Sequence, residues 1–157
     1  MRVLKVLAQR HPMRVTRRQL ATLAGLAPTG GTFSTYYSRL RTAGYLDDSG
    51  NLIGCSDAGL AASDVVPQQP QTTDELVAMW RTNVGGAGRM LDALVDYYPS
   101  ALTRQQLAEK LGLEASGGTF STYLSRLRSN GLAEVDRGTV RAAETLFTGE
   151  VPKGAGR

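Results

Sequence analysis

Very little in this sequence can support redox, metal or nucleophile chemistry: its 157 residues include one cysteine, one histidine and one tryptophan, and aromatics make up only 6%. A lone cysteine closes no internal disulfide, and Cys55 with His11 falls short of the roughly three or four ligands that a zinc site requires. No apolar run approaches the roughly 18 residues of a membrane-spanning helix. The start of the chain, Met1 to Met13, carries Arg2, Lys5 and Arg10 among its apolar positions, unlike the unbroken core of a signal peptide. The expectation is a chain of the reducing cytoplasm, with no membrane segment. Catalysis finds no foothold either. His11 is the sole imidazole, so no Ser-His-acid set can be built. The carboxylate pairs Asp47-Asp48 and Asp92 with Asp96 fall on a turn and one helical turn apart on an exposed face. The chain is read as a non-enzyme without cofactor or metal, and Cys55 as a small apolar filler.

What is present is an aliphatic core and an uneven charge. Hydrophobic residues are 41% of the chain, enough to exclude a disordered segment, and the length allows one ordinary domain or two very small ones. The net charge is +4, and the excess is concentrated: residues 1–64 carry 8 basic and 4 acidic groups, 65–87 carry 1 and 2, and 88–157 carry 9 and 8. A basic half beside a near-neutral half points to an acidic partner, most commonly nucleic acid; a solvated basic surface is the plainer reading.

The dominant feature is an internal repeat. Gly30 to Tyr36 reads GGTFSTY and so does Gly117 to Tyr123, at an offset of 87 residues. The same ungapped offset carries Thr16-Arg17 onto Thr103-Arg104, Gln19-Leu20-Ala21 onto Gln106-Leu107-Ala108, and Ser38-Arg39-Leu40-Arg41 onto Ser125-Arg126-Leu127-Arg128. From Thr16 to Gly44, 19 of 29 positions are identical, so the chain holds two copies of one domain. Their period is too long for a solenoid unit.

Each copy predicts three helices. The first carries Val3, Leu4, Val6 and Leu7, or Met90, Leu91, Leu94 and Val95, on one face, and stops before Pro12 or Pro99. The second opens with the capping-box pattern of Thr16 and Gln19, or Thr103 and Gln106, buries Leu20 and Leu23 or Leu107 and Leu111, and ends at Gly25 or Gly112. The third runs roughly over Thr32 to Ala43 and Thr119 to Asn130, with inward stripes Phe33, Tyr37, Leu40 and Phe120, Leu124, Leu127. After Gly44 and Gly131 the period changes to that of a hairpin. The strands are Tyr45-Leu46 and Leu52-Ile53 in the first copy, and Leu132 to Val135 and Thr139 to Arg141 in the second, around Asp136-Arg137-Gly138.

Three helices followed by a two-stranded hairpin is the winged helix-turn-helix layout. The run Leu127-Arg-Ser-Asn-Gly-Leu132 closely resembles the end of the recognition helix in winged-helix repressors, over about 60 residues in each copy. One departure is a link between the second and third helices, Gly112 to Gly118 and Gly25 to Gly31, about two residues longer than usual. More narrowly, Leu-Thr-Arg-Gln-Gln-Leu-Ala with Ser-Gly-Gly-Thr-Phe-Ser-Thr-Tyr-Leu-Ser-Arg-Leu resembles winged-helix segments in the C-terminal parts of some bacterial HerA-like ATPases. The resemblance implies a mainly α fold with small β-hairpin wings (α+β), arranged as two tandem winged-helix domains. The expected organisation is copy one over 1–64, a linker with a connecting helix over 65–87, copy two over 88–149 and a flexible tail over 150–157.

In the linker, Pro67 to Gln71 is polar, Asp74 begins the connecting helix, Trp80 packs on the second copy's first helix, and Gly85, Gly86 and Gly88 break it. Copy one opens at Met1 without such a helix, which hints at a piece of a longer architecture.

DNA binding by such a module needs cations for phosphate and polar groups on the outer face of the third helix. Those positions are Thr32, Ser34, Thr35, Tyr36, Ser38 and Arg39 with Arg41 at the flank, and Thr119, Ser121, Thr122, Tyr123, Ser125 and Arg126 with Arg128. Gly30-Gly31 and Gly117-Gly118 leave N–H groups at a helix start that suit a phosphate, or else let the longer turn close. No Gly-Lys-Ser/Thr follows them, so they are not the phosphate loop of a nucleotide hydrolase. Arg17 and Arg104 are candidate backbone-phosphate contacts, and Arg14 and Arg18 add charge in copy one alone. Against this stand Asp47 and Asp48 in the first wing, Glu134 and Asp136 in the second, and a groove face with no Asn, Gln or Lys, so that base contacts depend on Arg39 and Arg126. The expectation is duplex DNA binding of weak to moderate specificity, in transcription regulation or DNA processing, with copy one dominating the electrostatics. The alternative is an assembly module of a larger DNA-handling ATPase complex with little DNA affinity of its own; homo-oligomerisation is left open.

Overall fold

The structure is a computed structural model that describes residues 2–48, 50–68, 70 and 72–147. The expected tail over 150–157 lies outside them. The chain is mainly helical, 56% helix, with small antiparallel sheets of two and three strands. It divides into two compact units, Met1–Pro70 and Gln71–Arg157. Among the described residues no helix is long and apolar enough to cross a membrane.

In the first unit α1 (Arg2–Gln9) buries Val3, Leu4, Val6, Leu7 and Ala8. The i, i+3, i+4 spacing of its larger residues puts them on one stripe against the rest of the unit. Helix α2 (Arg17–Ala24) starts at the expected capping box: Gln19 N–H donates to Thr16 Oγ1 at 3.1 Å and Thr16 N–H to Gln19 Oε1 at 2.9 Å. Two of the start's orphan N–H groups are thereby satisfied, a contribution of about 1 kcal/mol. It ends at Gly25, whose φ of 72° is the left-handed conformation that only glycine adopts cheaply. Helix α3 (Gly31–Thr42) follows, then β1 (Leu46–Asp47), β2 (Gly54–Cys55) and α4 (Asp57–Ser63).

The second unit adds α5 (Thr73–Asn83) ahead of α6 (Ala87–Tyr97), so the helix expected as a connector packs within this unit, along α6, and buries Trp80. Then come β3 (Leu102–Thr103), α7 (Arg104–Leu111), α8 (Gly118–Ser129), β4 (Ala133–Asp136), β5 (Thr139–Ala142) and a 3-10 turn over Glu144–Leu146. Helix α7 repeats the capping box on Thr103 and Gln106 and the left-handed stop at Gly112. Of the three glycines expected to break the connecting helix, Gly85 (φ 62°) and Gly86 stand in the break, whereas Gly88 is inside α6. A Cβ on Gly88 would sit 2.7 Å from Arg81 Cγ, so it is a close-approach glycine.

The repeat runs further than its sequence identity. In the second unit β5 pairs β4 with Ala133 opposite Ala142, and β3 with Leu102 opposite Val140. The first unit holds the same register at the same offset: Leu46 is opposite Cys55, and Val15 bridges Ile53 through bonds of 2.9 and 2.7 Å. The second strand of the first hairpin is therefore Gly54–Cys55 and not Leu52-Ile53. Ile53 is a core residue, 4% exposed, but its backbone pairs with Val15 on the far side, a partner that hairpin logic does not consider. The second hairpin lies within a residue of expectation.

The element after the hairpin was not anticipated. Ser56 caps α4 through a bond from Gly59 N–H to its Oγ at 3.0 Å, while Ala143, at the equivalent place, offers no cap and only a 3-10 turn forms. Gly59 is required there, because a Cβ would collide with the Tyr45 carbonyl oxygen. Cys55 is buried beside it, and burial, then the charge of Asp57, push its thiol pKa up, as fits an unreactive filler.

Candidate nucleic-acid interface

The third helix of each unit turns one face to the core and the other to solvent. Helix α3 buries Phe33 and Leu40 and exposes Gly31, Thr32, Ser34, Thr35, Ser38, Arg39 and Arg41. Helix α8 buries Phe120, Leu124 and Leu127 and exposes Gly118, Thr119, Ser121, Thr122, Ser125, Arg126 and Arg128. Tyr36 and Tyr123 are half-buried at the flank, and the Tyr123 hydroxyl lies against Gly86. Tyr123 therefore packs the start of α6 as well as bordering the exposed face. Arg39 with Arg41, and Arg126 with Arg128, occupy the last turn, where a cation also complements the negative end of the helix dipole.

The paired glycines before these helices split into two roles. Gly30 and Gly117 are the N-caps, and a Cβ on either would press on the carbonyl oxygen of Ala27 or Glu114, at 3.3 and 3.2 Å, so they let the link close. Gly31 and Gly118 have nothing within 4 Å of a would-be Cβ. Both are exposed in the first turn of their helices, at the positive end of the helix dipole.

Arg17 and Arg104 are both exposed at the start of the second helix, but their surroundings differ. Arg17 lies over the Tyr37 ring at 4.5 Å and the Phe33 ring at 5.2 Å, and donates to Ser34 Oγ at 3.3 Å. Leu124 replaces Tyr37 in the second unit, and there an open groove of about 450 Å³ is lined by Arg104, Ser121, Leu124, Ser125, Arg128 and Ser129. The charges on the hairpins differ as well. In the first unit Arg14 pairs Asp47 at 2.7 Å and Arg41 pairs Asp48 at 3.0 Å. In the second Arg141 pairs Glu134 at 2.7 Å, a bond that pushes the guanidinium pKa up, and Val135 stands where Asp48 stands in the first. Among the described residues the guanidinium groups of Arg104, Arg126 and Arg128 have no hydrogen-bond or ion-pair partner.

Two residues important to this platform escaped the sequence reading. Arg2 Nη1 donates to the Ala24 carbonyl at 3.3 Å, and Arg89 Nη2 to the Leu111 carbonyl at 2.6 Å, tying the first helix to the last carbonyl of the second in both units. They also stand 87 residues apart, so extending the repeat upstream of Thr16 finds them. Among the described residues no three His, Cys, Asp or Glu side chains gather where they could hold a metal ion. Asp92, one of the carboxylates weighed for catalysis, is paired to Arg81 at 3.0 Å.

A scan against protein-family models finds no match to this chain, and a search among curated proteins finds none either.

Proposed function

We propose that the chain binds duplex DNA through two winged-helix modules, with α3 and α8 as the helices that approach the groove. The observation that carries this reading is the repeated outer face. Thr, Ser, Thr, Ser and Arg recur at identical positions on α3 and α8 and are exposed in both, whereas much of the rest of the surface differs between the copies. The helix starts at Gly31 and Gly118 suit phosphate, and Arg39 and Arg126 supply the side chains best able to reach guanine. The hydroxyls give polar contacts of low selectivity, which fits weak to moderate specificity. A second reading, docking onto a larger DNA-handling ATPase assembly, is favoured by the internally neutralised first wing, whose Asp47 and Asp48 are both held in ion pairs.

The test is fluorescence anisotropy of a mixed-sequence duplex of about 30 base pairs with the wild type and with Arg39→Ala/Arg126→Ala, across a salt series. Wild-type affinity should fall steeply as salt rises, because bound cations release counterions from phosphate, and the double variant should bind at least tenfold more weakly. Absence of binding by the wild type even at low salt sinks the DNA reading and turns the same helix faces into bait for a protein partner.

A further inference from the structure

The two copies share a fold and an outer helix face, but their groups for holding an anion are arranged differently. In the second unit the groove between the start of α7 and the outer side of α8 brings together two guanidiniums, Arg104 and Arg128, and the hydroxyls of Ser121, Ser125 and Ser129 above Leu124. Ser121, Ser125 and Arg128 follow one another at steps of four and three, so they form a single row along the helix. Neither guanidinium has a hydrogen-bond or ion-pair partner among the described residues. Two guanidiniums flanking a row of hydroxyl donors form a set suited to a phosphodiester oxyanion, which accepts several hydrogen bonds and carries one negative charge.

The equivalent positions in the first unit are Arg17, Ser34, Tyr37, Ser38, Arg41 and Thr42, and four of them are already engaged. Arg17 rests on the Tyr37 ring and donates to Ser34. Arg41 is ion-paired with Asp48 at 3.0 Å. An incoming phosphate would have to displace both contacts, and Asp48 would repel it. Arg18 and Arg39 stand outside this set.

We infer that the groove of Arg104, Ser121, Ser125 and Arg128 is the principal phosphodiester-anchoring site of the chain, and that its counterpart in the first unit is closed by that unit's own side chains. The inference rests on the duplex-DNA reading above and assigns its electrostatic weight to the second unit, although the sequence places the basic excess in the first.

The experiment uses the full chain and two double variants, Arg104→Ala/Arg128→Ala and Arg17→Ala/Arg41→Ala, each titrated against the same duplex and against a single strand of equal length over a salt series. The second-unit pair should weaken duplex binding at least tenfold and lower the salt slope by about two, while the first-unit pair should cost less than about threefold. Ser125→Asp and Ser38→Asp repeat the comparison without removing an arginine, in case a double variant loses its fold by circular dichroism. Asp48→Val, which copies the second unit, should tighten binding about threefold by releasing Arg41. Equal losses on single strand and duplex would make the contact a bare phosphodiester one, and losses on the duplex alone would make it one that needs the spacing of two strands. If the wild type binds but both pairs weaken it equally, or the first-unit pair weakens it more, the inference is overturned while the DNA reading stands. If the wild type binds neither strand form at low salt, both fall.

Discussion

The first and second units answer the same folding problem with the same residues and then diverge in how they use charge. Both close on a buried phenylalanine of the third helix, both cap the second helix with Thr and Gln, and both tether the first helix through an arginine to the last carbonyl of the second. Among the differences between their surfaces, three bear on the arginines: Tyr37 against Leu124, Asp48 against Val135, and Arg14 against Ala101. They convert a neutralised face into an open one, because an arginine held against an aromatic ring or a carboxylate is less available to a phosphate. Counting charges by segment therefore misleads. The first unit holds the whole net positive charge, but Arg14, Arg17 and Arg41 are already engaged there.

The claim that the cores are equivalent is the easiest to break. Phe33 and Phe120 are both 0% exposed and occupy equivalent places. Truncating either to alanine removes a large buried ring and leaves a cavity, a cost of about 3–5 kcal/mol in a packed core. We expect Phe33→Ala and Phe120→Ala to destabilise their own units by amounts that agree within about 1 kcal/mol, read as shifts in urea midpoint. A much smaller cost at one of them would mean that the two units pack differently despite their shared register.

A smaller effect tests the element that follows the hairpin. Ser56 accepts from Gly59 N–H and donates to the Gly44 carbonyl at 2.7 Å, so it both starts α4 and ties it to the end of α3. Ser56→Ala should cost about 1–2 kcal/mol and shorten α4 toward the single turn seen in the second unit. The reverse exchange, Ala143→Ser, should lengthen protection from hydrogen exchange beyond Leu146. If Ser56→Ala leaves stability unchanged, the cap does not explain why one copy carries a helix and the other a turn.

Most of this architecture was legible because its determinants are local. Capping boxes at Thr16 and Thr103, left-handed stops at Gly25 and Gly112, and the apolar stripe of α8 each sit within a few residues of the structure they dictate. What escaped depends on partners distant in sequence. Strand β3 is two residues long, too short for alternation to register, and exists because Leu102 meets Val140. Ile53 pairs toward Val15 for the same reason. The exposed face of the third helix followed directly from helical spacing, but the state of its arginines did not: the spacing that identifies Arg41 and Arg128 as outward gives no sign that Asp48 captures one while Val135 leaves the other open. Tyr37 shows the same limit. It was placed in the core stripe with Phe33 and Leu40, but it is half-buried and serves as a platform for Arg17.

The finest comparison lies at the tips of the two hairpins. Gly50 and Arg137 are equivalent positions, and both have left-handed backbone, at φ 71° and 51°. Glycine adopts this conformation without cost, whereas a side chain there costs roughly 1 kcal/mol. In the second hairpin Arg137 and Gly138 form the two-residue turn between the paired residues Asp136 and Thr139, and both have positive φ, as a type I′ turn requires; Asn-Gly is the pair that fits it best. Arg137→Asn should therefore stabilise the second unit by up to about 1 kcal/mol, measured by urea unfolding. The same variant removes an exposed cation from the hairpin, so anisotropy on the duplex reports whether that tip touches DNA. A gain in stability together with a salt slope lower by about one would mean that the arginine holds a strained position and contributes a phosphate contact from it. A gain in stability with unchanged binding would leave the tip of the second hairpin clear of the duplex, a strained turn with no part in the contact.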